Sequence, residues 1–479
     1  MKLSDPLLDA WQNTLRRTGE QAAILDKCGE LRRTFSDIER RACEFESELS
    51  AFSAGSVIAV QVGNHQDWPS IFISCLRKRL IVLPLEQSVN ERQRDAALAV
   101  CRANAVVTAV SDGAAPRISR LRTADATTEW DGTPPVLLKL TSGTTAAPRA
   151  VRFRSHQLLA DCNQICDTMG ISDADLNFAV IPISHSYGFS NLLTPLIARG
   201  VPMVLSGDRT PRALLCDIVS SEATVFPGMP VFYQAFCEMD DVPLLPKLRL
   251  CISAGAPLAA GVAKKFGEKF NVTIHSFYGA SECGGICYDR EGNQAVDGYV
   301  GEPMNGVEVR MLNSDASASQ VQVRSGAVTD GYFPEADEGK VNKGIFIPDD
   351  VLERNGSGFK IAGRVSDVIN VAGKKVNPAE VEAHLLRVSG VRQAVVFGRP
   401  AGAGLRNEEV AACVVASPHV REGELLKTCR RVLSAWQVPK RVFIVDVIPV
   451  NERGKVSRRD LARRFAASIA SSSLPTLGA

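Results

Sequence analysis

Residues 141–149 read Thr141-Ser142-Gly143-Thr144-Thr145-Ala146-Ala147-Pro148-Arg149, hydroxyl side chains and a glycine set between two short apolar runs, Val136 to Leu140 and Val151 to Phe153. A small polar loop of this kind offers N–H and O–H donors to phosphate oxygens, and Arg149 adds charge at its far end. It is not a Walker A loop, which would read GxxxxGK[ST] and run straight into a helix. A Ser/Thr turn in a hairpin is the plain alternative, since such clusters are common loop composition. Further along, Tyr278-Gly279-Ala280-Ser281-Glu282 puts an aromatic face, a flexible glycine, a hydroxyl and a carboxylate within five residues. Such a set could stack a nucleobase, bond a phosphate and hold Mg2+ through Glu282. Ser253-Ala254-Gly255-Ala256-Pro257 follows a strand-like run with small residues, so a flat ring could lie against its backbone. Asp350 and Arg364 could read a ribose diol and an adjacent charge, and Gly454-Lys455 places a lysine behind a glycine in a polar loop. Taken singly, each is the ordinary composition of a solvated surface.

The elements that must position these residues alternate between apolar, β-rich runs and amphipathic helical stretches, which predicts an α/β fold. Val57 to Val62 and Leu80 to Leu85 read as buried strands around a helix near Ser70 to Leu76. Ser155 reads as the N-cap of a helix whose Leu158, Cys162, Ile165, Cys166 and Met169 share one face, with Gly170 as its stop. Val201 to Leu205, Ala223 to Phe226 and Leu250 to Ser253 repeat the buried-strand pattern. A domain boundary is expected at 363/364, giving an N-terminal domain over 1–363 and a small C-terminal domain over 364–479. Within the latter, Asn377-Pro378-Ala379-Glu380 carries the start signals of a helix over Ala379 to Arg387. Strands at Ala394 to Phe397 and Val410 to Val415, a helix from Glu422 to about Trp436, and a strand at Val442 to Val447 follow.

Composition narrows the class. The chain has 479 residues, 45% of them hydrophobic and 23% charged, which suits a globular enzyme and excludes a disordered or fibrous one. With 55 Lys and Arg against 53 Asp and Glu, the net charge is +2, and no global field argues for nucleic acid as a partner. Thirteen cysteines without a CxxC pair, and six histidines without HExxH, predict free thiols rather than a disulfide framework or a zinc site. No signal-peptide pattern and no apolar run long enough to span a bilayer is present, and a cytoplasmic protein is expected.

In this order, the segments resemble the adenylate-forming superfamily of acyl- and aryl-CoA synthetases, peptide-synthetase adenylation domains and beetle luciferases. The loop at Thr141 is similar to that family's TSGTTGxPKG, and Tyr278 to Glu282 to its YGxTE. Gly363-Arg364 with Gly373-Lys374-Lys375-Val376 resembles GRxxDxI…GxKV, and Gly454-Lys455-Val456 the terminal GK[IV]. The resemblance covers about Glu20 to Leu461. It implies a large multi-sheet N-terminal domain and a small mobile α+β C-terminal domain. It also implies that Thr141, Ser142, Gly143, Thr144, Thr145 and Arg149 cradle the β- and γ-phosphates of ATP. Gly255, Ala256, Pro257, Tyr278 and Gly279 would line the adenine slot, Ser281 would touch the α-phosphate, and Glu282 with Thr144 would hold Mg2+. Asp350 and Arg364 would bind the ribose, and Lys455 would act in adenylation. The C-terminal domain would pivot at Ser366 to exchange Lys455 for the Gly373-Lys374 loop, which guides the thiol.

His185-Ser186-Tyr187-Gly188 resembles the HxxG segment of the ligases, in which the histidine borders the carboxylate site; a buried core histidine is the plain alternative. No acid follows in Gly188 to Leu193, which disfavours an α-amino acid. Phe226 to Pro230 and Gly284-Gly285-Ile286 are expected to wall a pocket for an aryl or fatty acid. The implied activity is an acid–thiol ligase that uses ATP and Mg2+ to make an acyl-AMP and transfers the acyl group to CoA. The alternatives are a ligase that loads the phosphopantetheine of a separate carrier protein, and a degenerate nucleotide-binding relative. The last rests on Ala146 and Ala150 where the family has glycines, and on Arg149 where it has lysine. Arg458, Arg459, Arg463 and Arg464 could assist phosphate binding, although a solvated helix face is the plainer reading.

Overall fold

Val57–Gln61 and Ile81–Pro84 are buried along their whole length and run parallel. Consecutive Val, Ile and Leu residues behave this way when both faces of a sheet are covered. The helix Trp68–Arg77 makes the crossover that a parallel pair requires. In the computed structural model, which describes residues 5–110, 113–121, 130, 132–141, 149–292, 296–371, 374–400, 408–450 and 456–466, the chain forms two compact units. The larger holds residues 1–317, 321–348 and 354–360; the smaller holds 318–320, 349–353 and 361–479.

One sheet of the larger unit runs Tyr332–Phe333, Arg149–Phe153, Leu137–Thr141, Ile81–Pro84, Val57–Gln61, Ala103–Thr108 and Arg117–Arg120. Within it Leu137–Thr141 and Arg149–Phe153 are antiparallel, with Thr141 opposite Arg149, so the polar loop joins a hairpin. The other sheet carries parallel neighbours Ile274–Ala280, Leu250–Ser253, Val225–Gly228, Asn177–Ala179, Met203–Leu205 and Ala22–Asp26. After Ala280 the chain reverses into the antiparallel strand Gly284–Tyr288.

The helix expected from Ser155 spans Ser155–Met169 and stops at Gly170, which takes φ 63°. Its cap is Arg154 rather than Ser155: the Gln157 side chain accepts the Arg154 N–H at 2.8 Å, while the Ser155 hydroxyl donates to Asp5. All thirteen cysteines are free thiols. Among the described residues no helix is long and apolar enough to cross a membrane.

In the smaller unit the helix Pro378–Leu386 is capped by Asn377, whose side chain accepts the Ala379 N–H at 3.1 Å. It packs Val381 and Leu385 on Val396, Val410 and Val414 of the strands Val391–Pro400 and Glu408–Ala416. The helix Glu422–Val432 ends four residues short of Trp436, because Leu433 is extended and turns in against this core. The strand after it is Arg441–Ile444, shorter than expected since Val447 points to solvent.

Candidate active site

Three segments leave the carboxyl ends of parallel strands on one edge of the second sheet. His185 follows Asn177–Ala179, Gly255 follows Leu250–Ser253, and Ser281 and Glu282 form the turn after Ile274–Ala280. Ligands of open α/β sheets bind at such an edge. Gly255 takes φ +86° with open space where a side chain would be, so its backbone conformation is what calls for glycine. With Ala256 and Pro257 it presents exposed backbone. Tyr278 is buried opposite Cys287, and at Gly279 a Cβ would come within 2.6 Å of the Gly284 carbonyl. The hairpin therefore closes tightly enough to hold Ser281 and Glu282 at its tip.

Among the hydrogen bonds that tie this tip to its surroundings, two are made by the side chains of Ser281 and Glu282. The Ser186 hydroxyl donates to Ser281 Oγ at 3.0 Å, joining the turn to the His185 segment. There the Tyr187 N–H donates to His185 Nδ1 at 3.2 Å, so a neutral His185 carries its proton on Nε2. A π-helical turn over Phe189–Leu193 follows, a form frequent at functional sites. The second bond runs from the Tyr332 hydroxyl to Glu282 Oε1 at 3.0 Å. Burial, then the Glu282 carboxylate, pushes the Tyr332 phenol up, so it stays a donor at every working pH.

Tyr332 also reaches the polar loop. Its ring lies 4.3 Å beneath the Arg149 guanidinium, which donates to the Glu335 carbonyl and sits 3.7 Å from the Asp337 carboxylate. The Thr141 hydroxyl donates to the Arg149 carbonyl at 3.2 Å, closing the loop's base. Glu282, Tyr332, Arg149 and Thr141 thus form one connected edge. Nothing in the spacing of the sequence points to Tyr332, which joins the site through tertiary pairing with Arg149–Phe153. Ala150 lies in that strand, opposite Leu140 and Phe333, where extended backbone takes alanine without strain.

In the smaller unit the Arg364 Nε–H donates to Asp350 Oδ1 at 2.6 Å, which brings those two expected partners together. The Lys374 ammonium stands 3.9 Å over the Trp436 ring. Arg458 is committed to Asp367, Glu382 and the Val396 carbonyl, so it is a structural anchor rather than a phosphate ligand. Ser142, Gly143, Thr144, Thr145, Gly373 and Lys455 lie outside the described residues. Of the residues expected to wall a pocket, Phe226 packs with Phe178, Tyr233 and Phe236, and Ile286 is fully buried.

Comparison with known proteins gives the family and the fold. Residues 11–333 match the family described as AMP-binding enzyme, and residues 380–455 match the AMP-binding enzyme C-terminal domain. A protein named probable CoA ligase CCL9, from Humulus lupulus, is 31% identical over 358 residues, covering 71% of this chain and 68% of that protein. An oxalate–CoA ligase from Arabidopsis thaliana is 26% identical over 476 residues, covering 89% of this chain and 92% of its own. The structure of ATP-bound MatB from Rhodopseudomonas palustris superposes with a TM-score of 0.84 at 22% identity, over 97% of this chain and 100% of that one. At that identity the match establishes the fold: α/β, with a large multi-sheet N-terminal part and a smaller C-terminal part.

Proposed function

The chain belongs to the AMP-binding enzymes, and we propose that it activates a carboxylic acid with ATP and passes the acyl group to the thiol of CoA. The observation that carries this reading is the edge on which Glu282, Tyr332 and Arg149 meet the base of the polar loop at Thr141. One side chain there connects the loop that would hold phosphates with the carboxylate that would face them.

A free carboxylate is a poor acyl donor because its leaving group would be oxide. Attack of its oxygen on the α-phosphorus breaks the bond to pyrophosphate and makes an acyl-AMP. The thiolate then attacks the acyl carbon and AMP departs. Charge grows on the α-phosphate and on pyrophosphate in the first step, so positioned cations and N–H donors supply the acceleration. Thr141 to Thr145 and Arg149 hold the β- and γ-phosphates, and Ser281, fixed by Ser186, faces the α-phosphate. His185 borders the acid, offering its Nε2–H. Gly255 to Pro257, Tyr278 and Gly279 flank the adenine, Asp350 and Arg364 take the ribose, and Lys374 with Gly373 guides the thiol. The Glu282 carboxylate suits Mg2+: it is a hard oxygen donor with about four lone-pair sites, one of which takes the Tyr332 hydroxyl. Bound there with Thr144, Mg2+ would offset triphosphate charge. The smaller unit acts as the mobile C-terminal domain, with residue 366 as its pivot.

Tyr332→Phe keeps the ring under Arg149 and removes the hydroxyl from Glu282. Losing one such bond costs about 1 kcal/mol, so acid-dependent ATP–pyrophosphate exchange falls roughly three- to tenfold, measured against unchanged folding.

Substrate size has two readings. An aryl or fatty acid suits the apolar residues near the turn. A small acid is the second reading, since a relative named oxalate–CoA ligase matches over most of this chain. A hydroxylamine-trapping screen of short, aryl and fatty acids with ATP and Mg2+ tests activity and size together. Hydroxamate with one class identifies the acid, and none with any acid contradicts the reading.

A further inference from the structure

Residues 329–332 are bonded both to the Glu282 turn and to the strand Arg149–Phe153. The Thr329 N–H donates to the Glu282 carbonyl at 2.9 Å, and the Tyr332 hydroxyl donates to the carboxylate of the same glutamate at 3.0 Å. One short segment therefore holds Glu282 at its backbone and at its side chain. That segment is fixed to the strand at Arg152. The Arg152 N–H donates to the Gly331 carbonyl at 3.0 Å, and the Arg152 carbonyl accepts the Asp330 N–H at 3.0 Å and the Thr329 hydroxyl. Thr329 is 3% exposed, so its hydroxyl has left water for that carbonyl. A third tie comes from the Gln157 amide, which donates to the Val328 carbonyl and to Asp330 Oδ1, both at 2.8 Å. It joins the segment to the first turn of the helix Ser155–Met169. Thr329 is the residue at which two of these paths meet: its N–H reaches the Glu282 turn and its hydroxyl reaches the strand that begins with Arg149.

We propose that Thr329 is a positioning residue: with its N–H on the Glu282 carbonyl and its hydroxyl on the Arg152 carbonyl, it sets the Glu282 turn relative to the strand that carries Arg149. The proposal rests on the functional reading above for its kinetic consequences, and on these hydrogen bonds alone for its structural ones. On that reading Glu282 faces Mg2+ and Arg149 faces the β- and γ-phosphates. An error in their separation then falls on acyl-AMP formation and spares transfer to the thiol. Threonine suits the position, because two groups on Cβ restrict χ1 and keep the hydroxyl aimed at one acceptor.

The test compares wild type, Thr329→Val and Thr329→Ser. Valine keeps the shape of threonine without the hydroxyl, and the Arg152 carbonyl retains the Asp330 N–H, so no acceptor is left unpaired. Each protein is followed by acid-dependent ATP–pyrophosphate exchange, its Mg2+ dependence, transfer from synthetic acyl-AMP to CoA, thermal melting, and deuterium uptake at the residue 329 amide. Thr329→Val is expected to lower pyrophosphate exchange about tenfold, between the loss of one hydrogen bond and the roughly 100-fold cost of displacing a reacting group by about 1 Å. It also raises the Mg2+ requirement, and deuterium enters the 329 amide faster. Transfer from acyl-AMP and Tm stay near wild type. Thr329→Ser keeps the hydroxyl and restores the slow amide, its freer χ1 leaving pyrophosphate exchange within about threefold of wild type. Thr329→Ala, which lacks the hydroxyl and fills less space, replaces valine should that variant not fold, with the same result expected. Wild-type exchange and Mg2+ requirement without the hydroxyl overturn the proposal. So do equal slowing of both half-reactions and a serine variant as slow as the valine one. If wild type exchanges no pyrophosphate with any acid, the functional reading fails on its own, and deuterium uptake at residue 329 decides whether the hydroxyl holds the turn.

Discussion

Lys455→Ala slows formation of acyl-AMP by on the order of 100-fold or more, the scale of losing one charge-stabilising group. Transfer from supplied acyl-AMP to CoA is expected to proceed near the wild-type rate. The asymmetry follows from where charge develops. Displacement at the α-phosphorus loads negative charge onto the α-phosphate and pyrophosphate, where an ammonium acts strongly in a water-poor site. Thiol attack on the acyl carbon also leaves a new negative charge on departing AMP, but on the proposed reading the Gly373-Lys374 loop has by then replaced Lys455 at the site. The segment carrying Lys455 continues into the helix Arg458–Ala466, and Arg458 is held by Asp367 and Glu382 in the same unit. Alanine at 455 removes the ammonium without disturbing that anchor, so the variant should fold as wild type. Pyrophosphate exchange and transfer from synthetic acyl-AMP measure the two steps separately. Equal slowing of both, or unchanged exchange, would contradict the assigned role.

Glu282→Gln produces the second large effect, a loss of adenylation on the order of 100-fold with a raised Mg2+ requirement. The amide keeps nearly the same shape, and its oxygen can still accept the Tyr332 hydroxyl that the carboxylate accepts at 3.0 Å. What disappears is the negative charge that, on the proposed reading, would face a divalent cation, and an amide oxygen is a weaker ligand for a hard ion. Comparison with Tyr332→Phe separates the two contributions, since that variant keeps the charge and loses the hydrogen bond. Mg2+ titrations of both variants provide the check. A Glu282→Gln protein with wild-type rate and wild-type Mg2+ dependence would remove Glu282 from the metal site.

Much of the fold was readable from local pattern. Val57 to Val62 and Leu80 to Leu85 are continuous apolar runs, and both are buried strands of one sheet. Asn377-Pro378-Ala379-Glu380 carries a cap, a first-turn proline and an early acid, and the helix begins there. The hairpin tip that carries Ser281 and Glu282 is marked in the sequence by its glycines. What local pattern could not supply are the contacts across sheets. Tyr332 joins Glu282 to Arg149 only because Tyr332–Phe333 pairs with a strand far away in sequence. That the Phe226 ring packs into a cluster of aromatic residues is likewise a matter of tertiary packing. Lys139 did leave a sign, a charge within an apolar strand, but that its ammonium lies near the Phe153 and Phe189 rings is set by packing between distant elements.

The central claim is that ATP is cleaved at the α-phosphorus in a reaction that requires a carboxylic acid. It is tested most directly by incubating the protein with ATP, Mg2+ and the acid selected by the hydroxamate screen, without CoA, and identifying the products by mass spectrometry. The account predicts pyrophosphate and enzyme-bound acyl-AMP in amounts matching the enzyme, with AMP and acyl-CoA appearing once CoA is added. ADP and phosphate as products, or ATP cleavage indifferent to the acid, would contradict it.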